Sequence, residues 1–263
     1  MVLLGLTTAN ASAAVITGWS FTATQAAPYN SPPATTGTGT ATMLGMTNSY
    51  NGGLNVASGD IVASSGVIAP PITEDTWRIR GAGANGWATH AAGAAQYTQG
   101  IELDTSTVGF QNIGFSFDWY ATTSGIRDLQ VQYNTNTANP AGWTNVGGTS
   151  PTGTYLAVAN DFYATSSPNI QLDLSSIAGA NNDATFGIRL VSAYDSTGNV
   201  PSDYASATLL SGKTQIYNNS SGNWRFDNLA FSGTPVTTPE PASLSFAGLG
   251  GMALLSRRRK IAG

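Results

Sequence analysis

Residues 113–120 read Ile-Gly-Phe-Ser-Phe-Asp-Trp-Tyr, and large apolar side chains alternate there with small or polar ones. Because successive side chains of a β-strand point to opposite faces, this period of two predicts a strand with one face in a hydrophobic core. The runs 129–133 and 186–190 repeat the pattern. Turn-forming clusters of Gly, Pro, Asn and Ser lie around these runs, as expected of short strands joined by loops.

Weaker versions of this pattern occur along the rest of the chain. They predict further strands over residues 16–22, 54–62, 77–80, 96–103, 155–158, 170–174, 215–217 and 224–231. A total of about ten to fourteen strands, with no helical period outside the C-terminal tail, predicts an all-β fold, an antiparallel β-sandwich of the jelly-roll type. We expect one such domain over residues 14–233.

Charge and composition exclude several classes of function. Only 9% of the residues are charged, Cys is absent and there is one His, so disulfides, thiolate metal sites and paired-histidine centres are ruled out. The net charge is −4, and four of the ten basic residues lie at positions 257–260, which leaves six basic against fourteen acidic residues before them. A body of that sign has no basic surface for nucleic acid, so we expect no nucleic-acid partner.

The N-terminal residues have features of an export signal. Residues 2–6 are apolar, and Ala11 and Ala13 give the small-x-small pattern that a signal peptidase accepts. This predicts a signal peptide over residues 1–13, cleaved after Ala13. No basic residue precedes the apolar run, so the predicted signal is truncated. An edge strand over residues 1–14 is the alternative.

The C-terminal residues combine three unlike elements in order. They are Pro239-Glu240-Pro241, the uncharged stretch 242–256, and the basic cluster Arg257, Arg258, Arg259 and Lys260. Fifteen helical residues extend about 22 Å, short of the roughly 30 Å hydrocarbon layer, so this predicts a short hydrophobic helix that spans the membrane only marginally. Basic residues stay on the cytoplasmic side, which places the preceding domain outside the cell membrane.

This order of elements resembles the PEP-CTERM sorting signal of Gram-negative bacteria. The resemblance implies that residues 234–263 form a sorting signal, and that an exosortase, a membrane transpeptidase-like enzyme, processes it. Pro239, Glu240 and Pro241 would then be recognition residues of a substrate. A plain C-terminal membrane anchor is the alternative. In addition, residues 224–228, Trp-Arg-Phe-Asp-Asn, are similar to the last strand of lectin-like jelly rolls and carbohydrate-binding modules.

We therefore expect an exported, non-enzymatic protein, anchored transiently in the inner membrane through residues 242–256 and then delivered to the cell surface or extracellular matrix. One alternative is a carbohydrate-binding module for envelope glycans or exopolysaccharide, with Trp87 and Trp143 as candidate contacts because they lie in turn-rich regions. Another is a divergent glycoside hydrolase that uses Glu102 and Asp104. Sandwich glycosidases add a further Glu one or two residues beyond the Asp, where this chain has Ser and Thr, which disfavours catalysis.

A structural calcium ion is the one cofactor that the sequence suggests. Asp118 in the central strand and Asp227 in the final strand are the best placed hard oxygen ligands. Calcium takes six to eight oxygens, many of them backbone carbonyls in loops, and no contiguous calcium loop is present.

Overall fold

The computed structural model describes residues 11–21, 31–47, 54–55, 76–81, 96–121, 125–147, 155–156, 161–162, 170–193 and 222–236. Within these ranges the secondary structure consists of strands and turns, without a helix. None of the described residues forms a helix long and apolar enough to cross a membrane. The predicted strand 215–217 and the predicted hydrophobic helix 242–256 lie outside them.

Fourteen strands occur in the described residues. They are β1 (Ala14–Trp19), β2 (Gly39–Leu44), β3 (Met46–Thr47), β4 (Leu54–Asn55), β5 (Thr76–Gly81), β6 (Gly100–Thr105), β7 (Phe110–Ala121), β8 (Asp128–Asn134), β9 (Thr144–Asn145), β10 (Tyr155–Leu156), β11 (Asp161–Phe162), β12 (Ile170–Asp173), β13 (Phe186–Ala193) and β14 (Asn223–Pro235).

The strands form two antiparallel sheets. The first has the order β11-β7-β14-β5-β3, with β1 paired to β14, β12 to β7 and β4 to β5. The second has the order β10-β8-β13-β6-β2, with β9 paired to β8. The chain changes sheet from β6 to β7 to β8, and again from β12 to β13 to β14. The predicted all-β antiparallel sandwich is confirmed.

The core consists largely of aromatic side chains from the inner faces of both sheets. The strongest sequence pattern is confirmed there, since Phe115, Phe117 and Trp119 of β7 are all at most 1% exposed. Phe231 of β14 packs against Phe115, with ring centroids 4.8 Å apart. It also meets Phe186 of the opposite sheet at 6.1 Å, in an edge-to-face arrangement. Ring contacts of this kind join the two sheets.

β14 lies in the middle of the first sheet and pairs with three other strands. Along one edge it pairs with β7 over most of its length. Along the other edge β5 pairs with residues 223–226 and β1 with residues 229–233. A bulge between Asp227 and Ala230 separates these two partners, and Asn228 in it has φ 50°, a left-handed conformation that Asn tolerates.

The structure differs from the predictions in several details, and the two-residue strands β3, β9 and β11 lie outside the predicted runs. β2 was not predicted, because its inward residues Ala41 and Met43 are too small or too isolated among threonines to give a strong alternating pattern. The predicted strand 96–103 is wrong at its start, since β6 begins at Gly100. Tyr97 has φ 64°, far from the extended backbone of a regular strand, and residues 96–97 form a turn before β6.

Candidate functional site

The outer face of the second sheet carries a group of charged side chains. Ile101, Leu103 and Leu190 point into the core, so the residues alternating with them point outward. In the antiparallel register Arg189 of β13 lies opposite Glu102 of β6, and Gly187 lies opposite Asp104. Two acids two residues apart on β6 therefore share one face, as the sequence predicted.

Arg189 is the centre of this group. Its Nε and Nη2 atoms each lie 2.6 Å from Oε2 of Glu102. Its guanidinium carbon lies 4.0 Å from the ring centroid of the half-buried Trp143. A carboxylate and an aromatic ring thus hold the guanidinium group, which combines an ion pair with a cation–π contact.

The absence of a side chain at Gly187 lets its neighbours close over β13. A Cβ atom there would lie 2.6 Å from Oδ1 of Asp104 and 3.0 Å from Cη2 of Trp143. It would also lie 2.5 Å from Cγ2 of Thr137. A larger residue would push these groups apart. We call Glu102, Asp104, Trp143, Gly187 and Arg189 the Trp143 cluster.

Asp104 is the electrostatically unusual member of the cluster. Burial, followed by repulsion from the Glu102 carboxylate, raises the pKa of Asp104 from 3.8 to about 6. The hydroxyl of Thr40 donates to its Oδ2 at 3.3 Å and opposes this shift, as does the charge of Arg189. Within the described part of the chain, Oδ1 of Asp104 and Nε1 of Trp143 are buried without a hydrogen-bond partner. Carboxyl groups with raised pKa values occur at functional sites and also in structural ion-pair networks.

The segment that carries Trp143 is fixed by amide side chains of β8. Nε2 of Gln132 donates to Oδ1 of Asn145 at 2.9 Å, and Nδ2 of Asn134 donates to the carbonyl of Asn139 at 2.9 Å. These buried amides hold residues 139–145 over the outer face of the strand. The position of Trp143 is therefore set by β8.

The two predicted calcium ligands come together in the first sheet. Asp118 of β7 lies directly opposite Asp227 of β14, and both are almost completely buried. The backbone N–H groups of Phe21 and Asn228 donate to Oδ1 of Asp227 at 3.2 and 2.8 Å. Nδ2 of Asn228 donates to Oδ2 of Asp118 at 2.7 Å. Among the described residues no group of three or more His, Cys, Asp or Glu side chains could hold a metal ion. Calcium at this pair stays a prediction.

The other predicted site residues are placed as follows. Ala11 is half-buried and Ala13 is exposed, directly before β1, and cleavage there stays a prediction. Lying outside the described residues are Trp87, Pro239, Glu240, Pro241, Arg257, Arg258, Arg259 and Lys260.

Comparison with known proteins identifies the C-terminal signal. Residues 237–260 match the PEP-CTERM protein-sorting motif, which confirms the predicted sorting signal. The motif marks an exported protein that is anchored in the membrane at its C-terminus before processing.

Two other comparisons are not confined to the C-terminal tail. A structure similar to it is the N-terminal cellulose-binding domain of β-1,4-glucanase C from Cellulomonas fimi, at 12% identity and a TM-score of 0.28. That match covers 62% of this chain and 80% of the cellulose-binding domain. A comparison with curated proteins finds no match.

Proposed function

We propose that this chain is a non-catalytic surface or matrix protein whose tail an exosortase removes after export. The observation that carries the proposal is the sorting motif at residues 237–260, which begins directly after the described β-sandwich. Residues 239–241 are the recognition segment, residues 242–256 hold the precursor in the inner membrane, and the basic cluster 257–260 stays on the cytoplasmic side. Signal peptidase removes residues 1–13.

The two acids on the outer face of the second sheet, Glu102 and Asp104, support a non-catalytic role for the sandwich. A retaining glycosidase needs two carboxyl groups about 5 Å apart, an ionised nucleophile and a protonated acid, which both face the substrate. Here the Glu102 carboxylate is held by Arg189 in an ion pair whose side chains are only 17% and 20% exposed. The chain also has no further acid at positions 106 and 107.

Sorting is tested by the intact mass of the protein recovered from producing cells. The wild type is expected to have lost residues 1–13 and the segment after the PEP motif. A Glu240→Ala precursor is expected to keep its tail, because it lacks the acidic recognition residue. Asp173→Ala, at an exposed acid of β12, is the matched control and should be processed normally. Equal processing of all three proteins, or wild type found in the cytosol with its tail intact, would contradict the proposal.

A second candidate function is binding of a hydroxyl-rich polysaccharide at the Trp143 cluster. The observation that favours it is a half-buried indole ring beside a guanidinium group and two carboxyl groups on an outer sheet face. Binding sites for small molecules combine aromatic surface with a few fixed polar groups in this way. Sugar hydroxyls would be both donors and acceptors to these groups.

Affinity electrophoresis through gels that contain envelope or extracellular polysaccharides tests this candidate. Trp143→Ala is expected to weaken retention by about tenfold, equivalent to about 1.4 kcal/mol. Val108→Ala, at an exposed site away from the cluster, should bind like wild type. Trp87→Ala tests the second predicted contact in the same gels. Binding is refuted if no polysaccharide retards the wild type.

A further inference from the structure

We infer that, in the anchored precursor, one end of the β-sandwich rests against the lipid surface. This end, which we call the tail-side tip, comprises Val15, the turn 106–109 and Val236. The inference rests on the proposed function, because it takes residues 242–256 as the membrane anchor.

The tether between the sandwich and the anchor is very short. β14 ends at Pro235, and four peptide units lead from there to Pro239, so the two Cα atoms lie at most about 14 Å apart. Seven units lead to residue 242, which permits at most about 25 Å. The folded domain therefore cannot move far from the membrane that holds the tail.

The fold cannot lengthen this tether by releasing its last strand. β14 is hydrogen-bonded along both edges, and Trp224, Phe226 and Phe231 on it are completely buried. Val236 extends this attachment by one residue, since its N–H group donates to the carbonyl of Gly109 at 2.8 Å. The described attachment of the chain to the sandwich thus reaches residue 236.

The tip from which the tail leaves has an apolar surface. The exposed large apolar side chains of the described residues are Val15, Val108 and Val236, at 53%, 54% and 45% exposure. Val236 adjoins the turn 106–109 through its hydrogen bond to Gly109. β1 begins beside the end of β14, with Ala14 opposite Gly233, so Val15 belongs to the same end.

Charge is low at the tail-side tip. Residues 14–17, 106–110 and 234–236 contain no charged side chain. The adjoining turn contributes Asp183, whose Oδ1 accepts the N–H of Thr185 at 2.8 Å. A tip with exposed valines and no charged side chain of its own suits the interfacial region of a bilayer, where apolar side chains leave water. The predicted cleavage after Ala13 also lies at this tip, so both membrane-directed segments leave the sandwich at one end.

Fluorescent labelling at single cysteines tests the inference, and the natural chain has no Cys to interfere. The full chain with Val108→Cys would carry an environment-sensitive dye and be reconstituted in vesicles of phosphatidylethanolamine and phosphatidylglycerol. The control is Thr98→Cys, exposed at the opposite end of β6. The length of that strand, about 17 Å, separates the two sites.

We expect lipid-attached quenchers to reduce the emission of the dye at position 108 several-fold more than at position 98. Inserting twenty Gly and Ser residues after Val236 gives a tether with a mean reach of about 25 Å and should abolish the difference. Equal quenching at both positions of chains that float with the vesicles would overturn the inference alone. Chains that fail to float would overturn both it and the proposed anchor.

Discussion

Replacing Trp224 with alanine is expected to lower the free energy of unfolding by about 3–5 kcal/mol. The side chain is completely buried, and its Nε1 donates to the carbonyl of Ile126 at 2.7 Å. Its ring meets that of Trp119 edge to face, with centroids 5.3 Å apart. Truncation would open a cavity beside the central strand and deprive the Ile126 carbonyl of this donor. Urea denaturation of the processed protein, followed by circular dichroism, measures the change.

Two control variants separate the causes of this loss. Trp224→Phe keeps most of the ring volume and removes the indole N–H, so it is expected to cost about 1–3 kcal/mol. Val236→Ala changes an exposed side chain and is expected to alter stability by at most about 0.5 kcal/mol. If Trp224→Ala unfolds at the same urea concentration as Val236→Ala, the assignment of Trp224 to the core is wrong.

The sequence predicts the central strands well because large apolar residues occupy every second position in them. The run 113–120 corresponds to β7, and the runs 129–133 and 186–190 correspond to β8 and β13. Burial of large side chains on one face leaves only one register that satisfies the core. β2 has no comparable pattern. It is held by its backbone pairing with β6, which local composition does not reveal.

The sequence predicts some members of the Trp143 cluster and misses others. Alternation places Glu102 and Asp104 on one outward face, because both belong to one strand. The arrival of Arg189 opposite Glu102 depends on the register between β6 and β13, which are more than eighty residues apart in the chain. Gly187 is missed for the same reason, since only the folded register shows which side chains close over it.

The sequence likewise predicts only part of the arrangement around Asp118 and Asp227. Their residue types suggest a shared site, and the structure places them opposite each other. The bulge that brings the Asn228 amide onto Asp118 has no clear sequence signal, because it needs the left-handed backbone of one residue inside a long strand.

An Arg189→Met exchange is expected to destabilise the protein by about 2 kcal/mol at about pH 8, between the values for exposed and buried ion pairs. Methionine keeps the apolar stem of the side chain but leaves the Glu102 carboxylate without its cation, beside the carboxyl of Asp104. Loss of the cation–π contact with Trp143 adds to the effect. Urea denaturation at several pH values measures it.

The pH dependence of this loss tests whether repulsion between the Glu102 and Asp104 carboxylates contributes to it. The pKa of Asp104 is raised from 3.8 to about 6 in the folded protein, so the folded state binds this proton more tightly than the unfolded state. The stability that this bound proton contributes is therefore lost as the pH rises through about 6, and it is recovered towards about pH 4. Because Arg189 lowers the pKa of Asp104, its removal enlarges that penalty at neutral and basic pH. The cost of Arg189→Met should therefore shrink on acidification.

The double variant Arg189→Met with Asp104→Asn tests whether repulsion between Glu102 and Asp104 causes part of this loss. Asparagine keeps the shape of Asp104 without its charge, so about half of the stability lost at about pH 8 should return, an effect on the order of 1 kcal/mol for this partly buried group. In this double variant, position 104 no longer carries a charge that repels the Glu102 carboxylate. A destabilisation that is the same at acidic and basic pH, in both the single and the double variant, would show that packing on Trp143 accounts for the effect of Arg189 instead.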